Sequence, residues 1–600
     1  MKKISFILFS LVITINLYSQ KTWKDSEISL KDIKAHLYYL ASDDMKGRFS
    51  GSPEEIKSGD YIKTQFESYG LKPFFPNTYF QKFPFIEKVE LTKSNTLQFT
   101  INKQSKELSI HKNFITAPFS GKSKISTAVV FAGYGITSTK LNYDDYDGID
   151  VHGKVVVVMR YHPEHDSSKS EFDRYSTYRQ KASAARDKGA AGIIFVNGHE
   201  PRNDEDLLME LRYDGAGGIN DFPVLQIKRS LVNELFKSQN LDFAQYQKKI
   251  DLNKKPYSFL FNNISVNLST EVKELEKTAR NVVGYIEGND PILKNEYIVI
   301  GAHYDHLGID QLKTSSMYKG NDLQIHNGAD DNASGTTGLL EVAEKFCALK
   351  SEIKRSIIFI AFSGEELGIL GSTYFTNNSV IDIKNIVAML NMDMVGRLND
   401  EKSLTIIGAG TSSLWKNLLN EKNKYDLKLA FNDSGSGGSD HQAFTNKNIP
   451  VLFFFTGTHT DYHKPSDDAD KINYEGTQAV VNFVFEVANS VQKLESKPDY
   501  VKIEEPAQRG AVRSRVTVGT VPEFGYNGNG YKLSGVTDGG PAAKAGLKAG
   551  DIIIKFGSKT VNNIYDFMYA MGEFSPGDKV DVVIIRDEKE VTVNLELTAK

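Results

Sequence analysis

Apolar residues recur at helical spacing in several stretches of the chain. Leu37 and Leu40 share a face in 33–40, and Ile62 and Phe66 share one in 58–69, which predicts two helices joined by a Gly47-Arg48-Phe49-Ser50-Gly51-Ser52 loop. Leu339, Val342, Ala343 and Phe346 predict a helix over 335–349, and Val480, Val481, Val484, Val487 and Val491 one over 474–491. Other stretches are unbroken apolar runs too short for helices. Those at 129–131, 155–158 and 192–196 predict strands, with an Ala-rich helix at 181–188 before the third. A second series lies at 280–286, 297–302, 355–362 and 386–391. Runs without alternation belong to a sheet covered on both faces, so strands alternating with helices predict an α/β fold.

The chain has 600 residues, too many for one core, so several domains are expected. Composition is that of a globular protein: 40% hydrophobic and 25% charged, with a net charge of −4. Nothing in it forms a basic footprint, which excludes nucleic acid as a partner. Residues 1–20 read as a signal peptide: Lys2 and Lys3 precede an apolar run from Ile4 to Ile15, and Ser19-Gln20 closes it. That run is too short for a stable membrane span. The expected location is therefore periplasmic or extracellular. The single cysteine, Cys347, leaves no internal disulfide and falls in a helical pattern as a core residue.

Candidate chemistry collects at strand ends. His303 and Asp305 end the run at 297–302, Glu365 and Glu366 follow 355–362, and Asp393 follows 386–391. Strand ends of an α/β sheet are where ligands bind. Carboxylates delivered there together are costly to desolvate, and a bound cation offsets that cost. Asp330 and Asp331 precede the helix at 335–349; taken alone they read equally as helix-start acids. Paired adjacent glutamates alone read as a solvated turn. Neither plain reading explains why both fall among the other strand-end acids.

Taken in order, Ala302-His303-Tyr304-Asp305-His306, Gly328-Ala329-Asp330-Asp331-Asn332-Ala333-Ser334-Gly335, Ser363-Gly364-Glu365-Glu366, Asn391-Met392-Asp393 and Asp461-Tyr462-His463 resemble the co-catalytic zinc aminopeptidases of metallopeptidase family 28. That family includes leucyl aminopeptidases, glutamate carboxypeptidases and the non-catalytic transferrin receptors. The resemblance covers about 30–115 and 265–495. It implies a mixed sheet flanked by helices, the zinc exopeptidase fold, with two zinc ions. It also implies roles: His303 and Asp393 on one ion, Glu366 and His463 on the other, and Asp331 bridging them. Glu365 is then the general base, Asp305 orients His303, and Tyr462 stabilises the tetrahedral intermediate; a cis Asp331–Asn332 peptide is compatible with it. The chemistry is consistent: two metals need a bridging carboxylate, and a separate carboxylate must take the water proton. With the ligand set filled, His306, His326, His441 and His459 read as loop or core histidines. Asp440, in Ser439-Asp440-His441, is a second-tier candidate near the substrate pocket.

Two modules are attached. Residues 116–262 resemble a protease-associated (PA) domain, on Val129-Val130-Phe131-Ala132-Gly133-Tyr134-Gly135, Tyr143-Asp144-Asp145-Tyr146 and Lys188-Gly189-Ala190-Ala191-Gly192-Ile193-Ile194. Residues 512–600, after a linker at 497–511, resemble a bacterial-type PDZ domain, with Gly530, Tyr531, Lys532 and Leu533 as its carboxylate-binding loop and Gly540-Pro541-Ala542-Ala543 starting its helix. Residues 21–115 and 263–496 are left for the catalytic domain. The partners so implied are peptide substrates and a C-terminal peptide on the PDZ groove. The expected activity is removal of N-terminal residues. Its alternatives are a carboxypeptidase or dipeptidase on the same site, a single-zinc cyclase, and a non-catalytic peptide-binding protein. A carboxypeptidase needs a cationic clamp, and between Ser356 and Gln508 the only arginine is Arg397.

Overall fold

The computed structural model describes residues 27–503 except 166–169, 202–205, 214–217, 220, 310–314 and 321, and in the C-terminal module 516–522, 529–537, 539–561, 567, 570–571, 574 and 576–599. The expected signal peptide, 1–20, and most of the expected linker, 497–511, lie outside the described residues. Among those described, no helix is long and apolar enough to cross a membrane.

A nine-stranded mixed sheet forms the main body. Its centre is four parallel strands in the order Ser356–Phe362, Tyr297–His303, Ile386–Met392 and Val451–Phe455. Val272–Ile286 pairs antiparallel with Ser356–Phe362 at one side, and Ser403–Ile407 antiparallel with Val451–Phe455 at the other. The unbroken apolar runs follow from burial on both faces. Ile357, Phe359 and Ala361 enter one core, while Ile358, Ile360 and Phe362 enter the other. Helices Leu30–Leu40, Pro53–Tyr69, Gly335–Ala348 and Tyr474–Lys493 supply the first core. Pro53–Tyr69 shows why such a segment starts and stops: the Ser52 side chain accepts from Glu55 N, Pro53 opens the first turn, and left-handed Gly70 closes the last.

The inserted unit, expected over 116–262, is built on a sheet whose outer strands reach beyond those bounds. Its eight-stranded sheet runs Gln104–Leu108, Thr96–Ile101, Phe259–Thr270, Ser123–Phe131, Val155–Met159, Gly192–Val196, Val224–Ile227 and Phe114–Thr116. Thr92 N donates to Glu271 O across its neck, and we place the junction there. From that neck, Phe80–Leu91 and Val272–Ile286 run as an antiparallel ribbon into the main sheet. The outer strands bury only alternate residues, such as Leu97 and Phe99, and an alternating edge carries a weaker signal than the apolar runs beyond Ala128.

The C-terminal module has its own core around Leu533, Ile553, Phe556, Val582 and Ile584. Gly530 precedes the strand Tyr531–Val536, which pairs with Ile552–Phe556.

Candidate metal centre

Tyr297–His303 lies between strands reached in opposite directions along the sheet, so a crevice opens at its carboxyl end. His303 is its last residue. Asp393 follows Met392 at the end of the neighbouring strand, and Glu365 and Glu366 occupy the turn after Phe362. Asp331 lies in the irregular turn Ala329–Ser334 that feeds helix Gly335–Ala348. Gly328 starts that turn at φ +57, and a Cβ there would meet Asp331 O at 2.2 Å. The Asp331–Asn332 peptide is cis.

These segments bring two donor groups together. His303 Nε2 is 3.4 Å from Asp331 Oδ1 and 3.3 Å from Asp393 Oδ1. His463 Nε2 is 3.2 Å from Asp331 Oδ2 and 3.3 Å from Glu366 Oε2. Each group thus takes one oxygen of Asp331. Donors about 2.0–2.1 Å from a tetrahedral zinc lie about 3.3 Å from each other, which matches all four separations. His303 Nε2 and Asp393 Oδ1 are also buried without a hydrogen-bond partner, as metal donors would be.

The electrostatics favour cations. Burial disfavours charge on His463, but Glu366 and Asp331 outweigh it and lift the ring to about 11. Burial likewise opposes charge on His303, and Asp393, Glu365 and Asp331 raise it well above the usual histidine range. Burial pushes the Glu365 carboxyl well up, with Glu366, Asp393 and Asp440 adding to the shift. Burial also takes Asp440 up to about 7.

A ring of polar contacts holds the donors. His463 Nδ1–H donates to Ser315 O at 2.8 Å, leaving Nε2 for the centre. Ser439 Oγ donates to Asp393 Oδ2 at 2.7 Å and accepts from Asn391 Nδ2. Asp467 Oδ2 accepts from the backbone N–H groups of Asp330 and Asp331. Arg397 sits behind it, 3.3 Å from both Asp461 and Asp467. His459 Nε2 faces Asp330 Oδ2 at 3.2 Å.

Residues 281–488 match the model of peptidase family M28, residues 125–235 that of the PA domain and residues 515–597 that of the PDZ domain. Residues 281–488 are an M28 peptidase domain. Among curated relatives, aminopeptidase YwaD of Bacillus subtilis strain 168 is 26% identical over 337 residues, 54% of this chain and 62% of that protein. Leucine aminopeptidase 2 of Trichophyton rubrum is 24% identical over 264 residues, 37% of this chain and 47% of that protein. The chain thus spans less than two thirds of the length of each of these relatives. A solved aminopeptidase from Aneurinibacillus sp. strain AM-1 aligns with 81% of this chain and 98% of its own at 23% identity and a TM-score of 0.44. BSAP, a zinc aminopeptidase from Bacillus subtilis, aligns with 80% and 98% at 21% identity and a TM-score of 0.43.

Within the M28 domain, His303, Asp331, Glu365, Glu366, Asp393, Tyr462 and His463 converge, and Tyr462 stacks on His463 with ring centroids 3.9 Å apart. Asp305 departs from its expected contact. His303 Nδ1–H donates to the Asp305 carbonyl at 3.2 Å, while the carboxylate stands 3.8 Å away. That carboxylate instead accepts from Ser50 Oγ at 2.7 Å and Glu365 N at 3.2 Å. His306 and His459, read from sequence as loop or core residues, both face site carboxylates. A histidine three residues after a strand-end ligand, on the same buried loop, was the available signal for His306. His326 is held by Ser316 and Gln324, and His441 is a buried ring 4.7 Å from Phe453, lowered to about 3 by burial. The PDZ residues Gly530, Tyr531, Lys532 and Leu533 lie in the separate module. There Leu533 is fully buried, and its N–H already donates to Asp551 O at 2.8 Å.

Proposed function

We propose that the protein is an exported di-zinc aminopeptidase, hydrolysing the first peptide bond of substrates with a free N-terminus. The reading is carried by the two donor groups that share Asp331, with Glu365 beside them. His303 and Asp393 would hold one ion, His463 and Glu366 the other, and Asp331 both. Zinc, when bound, supplies Lewis-acid activation of water and of the scissile carbonyl. The Glu365 carboxylate takes the water proton and returns it to the leaving amine. Its backbone N–H is fixed by Asp305, which restrains the turn that carries it. Tyr462 would donate to the oxyanion, a role supported by its stacking beside His463.

An aminopeptidase is favoured over a carboxypeptidase by Arg397. One nitrogen of its guanidinium lies 3.3 Å from both Asp461 and Asp467, which supports a role behind the Asp331 turn rather than as a substrate clamp. The names of the curated relatives support the same choice. The PA insert and the PDZ groove are proposed to restrict and recruit peptides. Hydrolysis of aminoacyl p-nitroanilides and dipeptides, N-blocked and unblocked, tests this reading. Cleavage of unblocked substrates alone is expected; cleavage that needs a free C-terminus, whatever the N-terminus, overturns it.

A further inference from the structure

The loop between helices Leu30–Leu40 and Pro53–Tyr69 reaches the metal centre although it lies far outside residues 281–488. We propose that Arg48 and Ser50 of this loop are positioning residues for the metal centre, tying the segment that carries His303 to the segment that carries Asp331. The inference rests on the two-metal reading above.

Arg48 is fully buried, and among the described residues its guanidinium donates only to backbone carbonyls. Nε donates to Tyr304 O at 2.8 Å, the residue after His303. Nη1 donates to Asn327 O at 2.8 Å and to Leu40 O, and Nη2 donates to Gly328 O at 3.0 Å. One planar fork therefore spans the His303 segment, the turn into Asp331 and the end of the first helix. The backbone repeats the link: His306 N donates to Arg48 O, and Gly308 N to Gly47 O. Gly47, at φ +69, lets the loop enter, since a Cβ would meet His326 O at 2.3 Å. Ser50 Oγ completes the contact by donating to Asp305 Oδ2.

A buried cation capped by four carbonyls is an expensive way to close a loop, and a lysine could not satisfy that planar set. The charge has a second use. Burial lowers Arg48 to about 10, and Asp305, Asp331, Asp467 and Glu366 act against that fall, so it stays charged at neutral pH. It therefore offsets carboxylate repulsion before any ion binds.

The test is zinc affinity of the full chain by competition with a chromophoric chelator, for wild type, Arg48→Lys and Ser50→Ala, with folding followed by circular dichroism. Groups that hydrogen-bond a ligand directly are worth about 10–100-fold in metal affinity, so Arg48→Lys, one step further out, is expected to lose up to about tenfold, with excess zinc restoring activity. Ser50→Ala should show a smaller loss in the same direction. A folded Arg48→Lys protein with wild-type affinity overturns the proposal. If Arg48→Lys does not fold, Ser50→Ala decides: weakened zinc binding sustains the proposal, and unchanged binding overturns it. Wild type that binds no zinc overturns the two-metal reading itself.

Discussion

His306 Nδ1 lies 2.6 Å from Glu366 Oε1, while Oε2 of the same carboxylate lies 3.3 Å from His463 Nε2. The histidine holds one oxygen so that the other faces the centre. We expect His306→Ala to lower affinity for one of two zinc ions by about 10–100-fold, with His306→Asn recovering part of it through its side-chain N–H. Stepwise zinc titration reads this directly. Equal affinities in wild type and His306→Ala would show that the contact does not orient Glu366.

Zinc binds neutral imidazole, whereas the surrounding carboxylates raise His303 well above the usual histidine range and His463 to about 11. Each ion must therefore displace protons. Affinity should rise with pH through the neutral range and fall as pH drops. Calorimetry in two buffers of different ionisation heat should show proton release at pH 7; identical heats would contradict the assignment.

Met394, Ile407, Phe453 and Phe455 form a small apolar cluster, with Tyr462 packed against it, beside Asp393 and His463. If this cluster lines the pocket for the N-terminal side chain, that side chain is apolar. Leucyl and phenylalanyl substrates should exceed alanyl ones in kcat/KM by at least about tenfold, and lysyl and aspartyl ones should be poorer still. A preference for charged residues would place the pocket elsewhere.

Arg397→Ala separates two roles. If Arg397 supports the Asp331 turn through buried Asp467, its loss should destabilise the fold by about 3–5 kcal/mol in urea unfolding. A substrate clamp would leave stability intact and raise KM for peptides with a free C-terminus.

Much of this was legible in the sequence, for identifiable reasons. Three of the four central strands are long apolar runs because both faces are covered, so the acids and histidine that follow them, His303, Glu366 and Asp393 among them, stood out as candidates, while their separate roles came from the family resemblance and the fourth strand, Val451–Phe455, was missed. The helices of the first core announced themselves by spacing. Ser403–Ile407 and Lys428–Asn432 did not, since strands near the sheet edge are short and only partly apolar. The neck we place at Thr92 and Glu271 is closed by one backbone bond and by side-chain bonds of Thr92 and Asn95, too few residues to form a periodic pattern. Arg48 was invisible as a site residue because its partners are carbonyls, and no sequence spacing marks a carbonyl.

The central claim is that Glu365 moves the proton at a site holding two zinc ions. Zinc content and the rate on leucyl p-nitroanilide, measured together on wild type and Glu365→Gln, test it most directly. The expected result is two ions per chain in both proteins, with the variant slower by about 10²–10⁴-fold. A variant that keeps both ions and full activity would contradict the account.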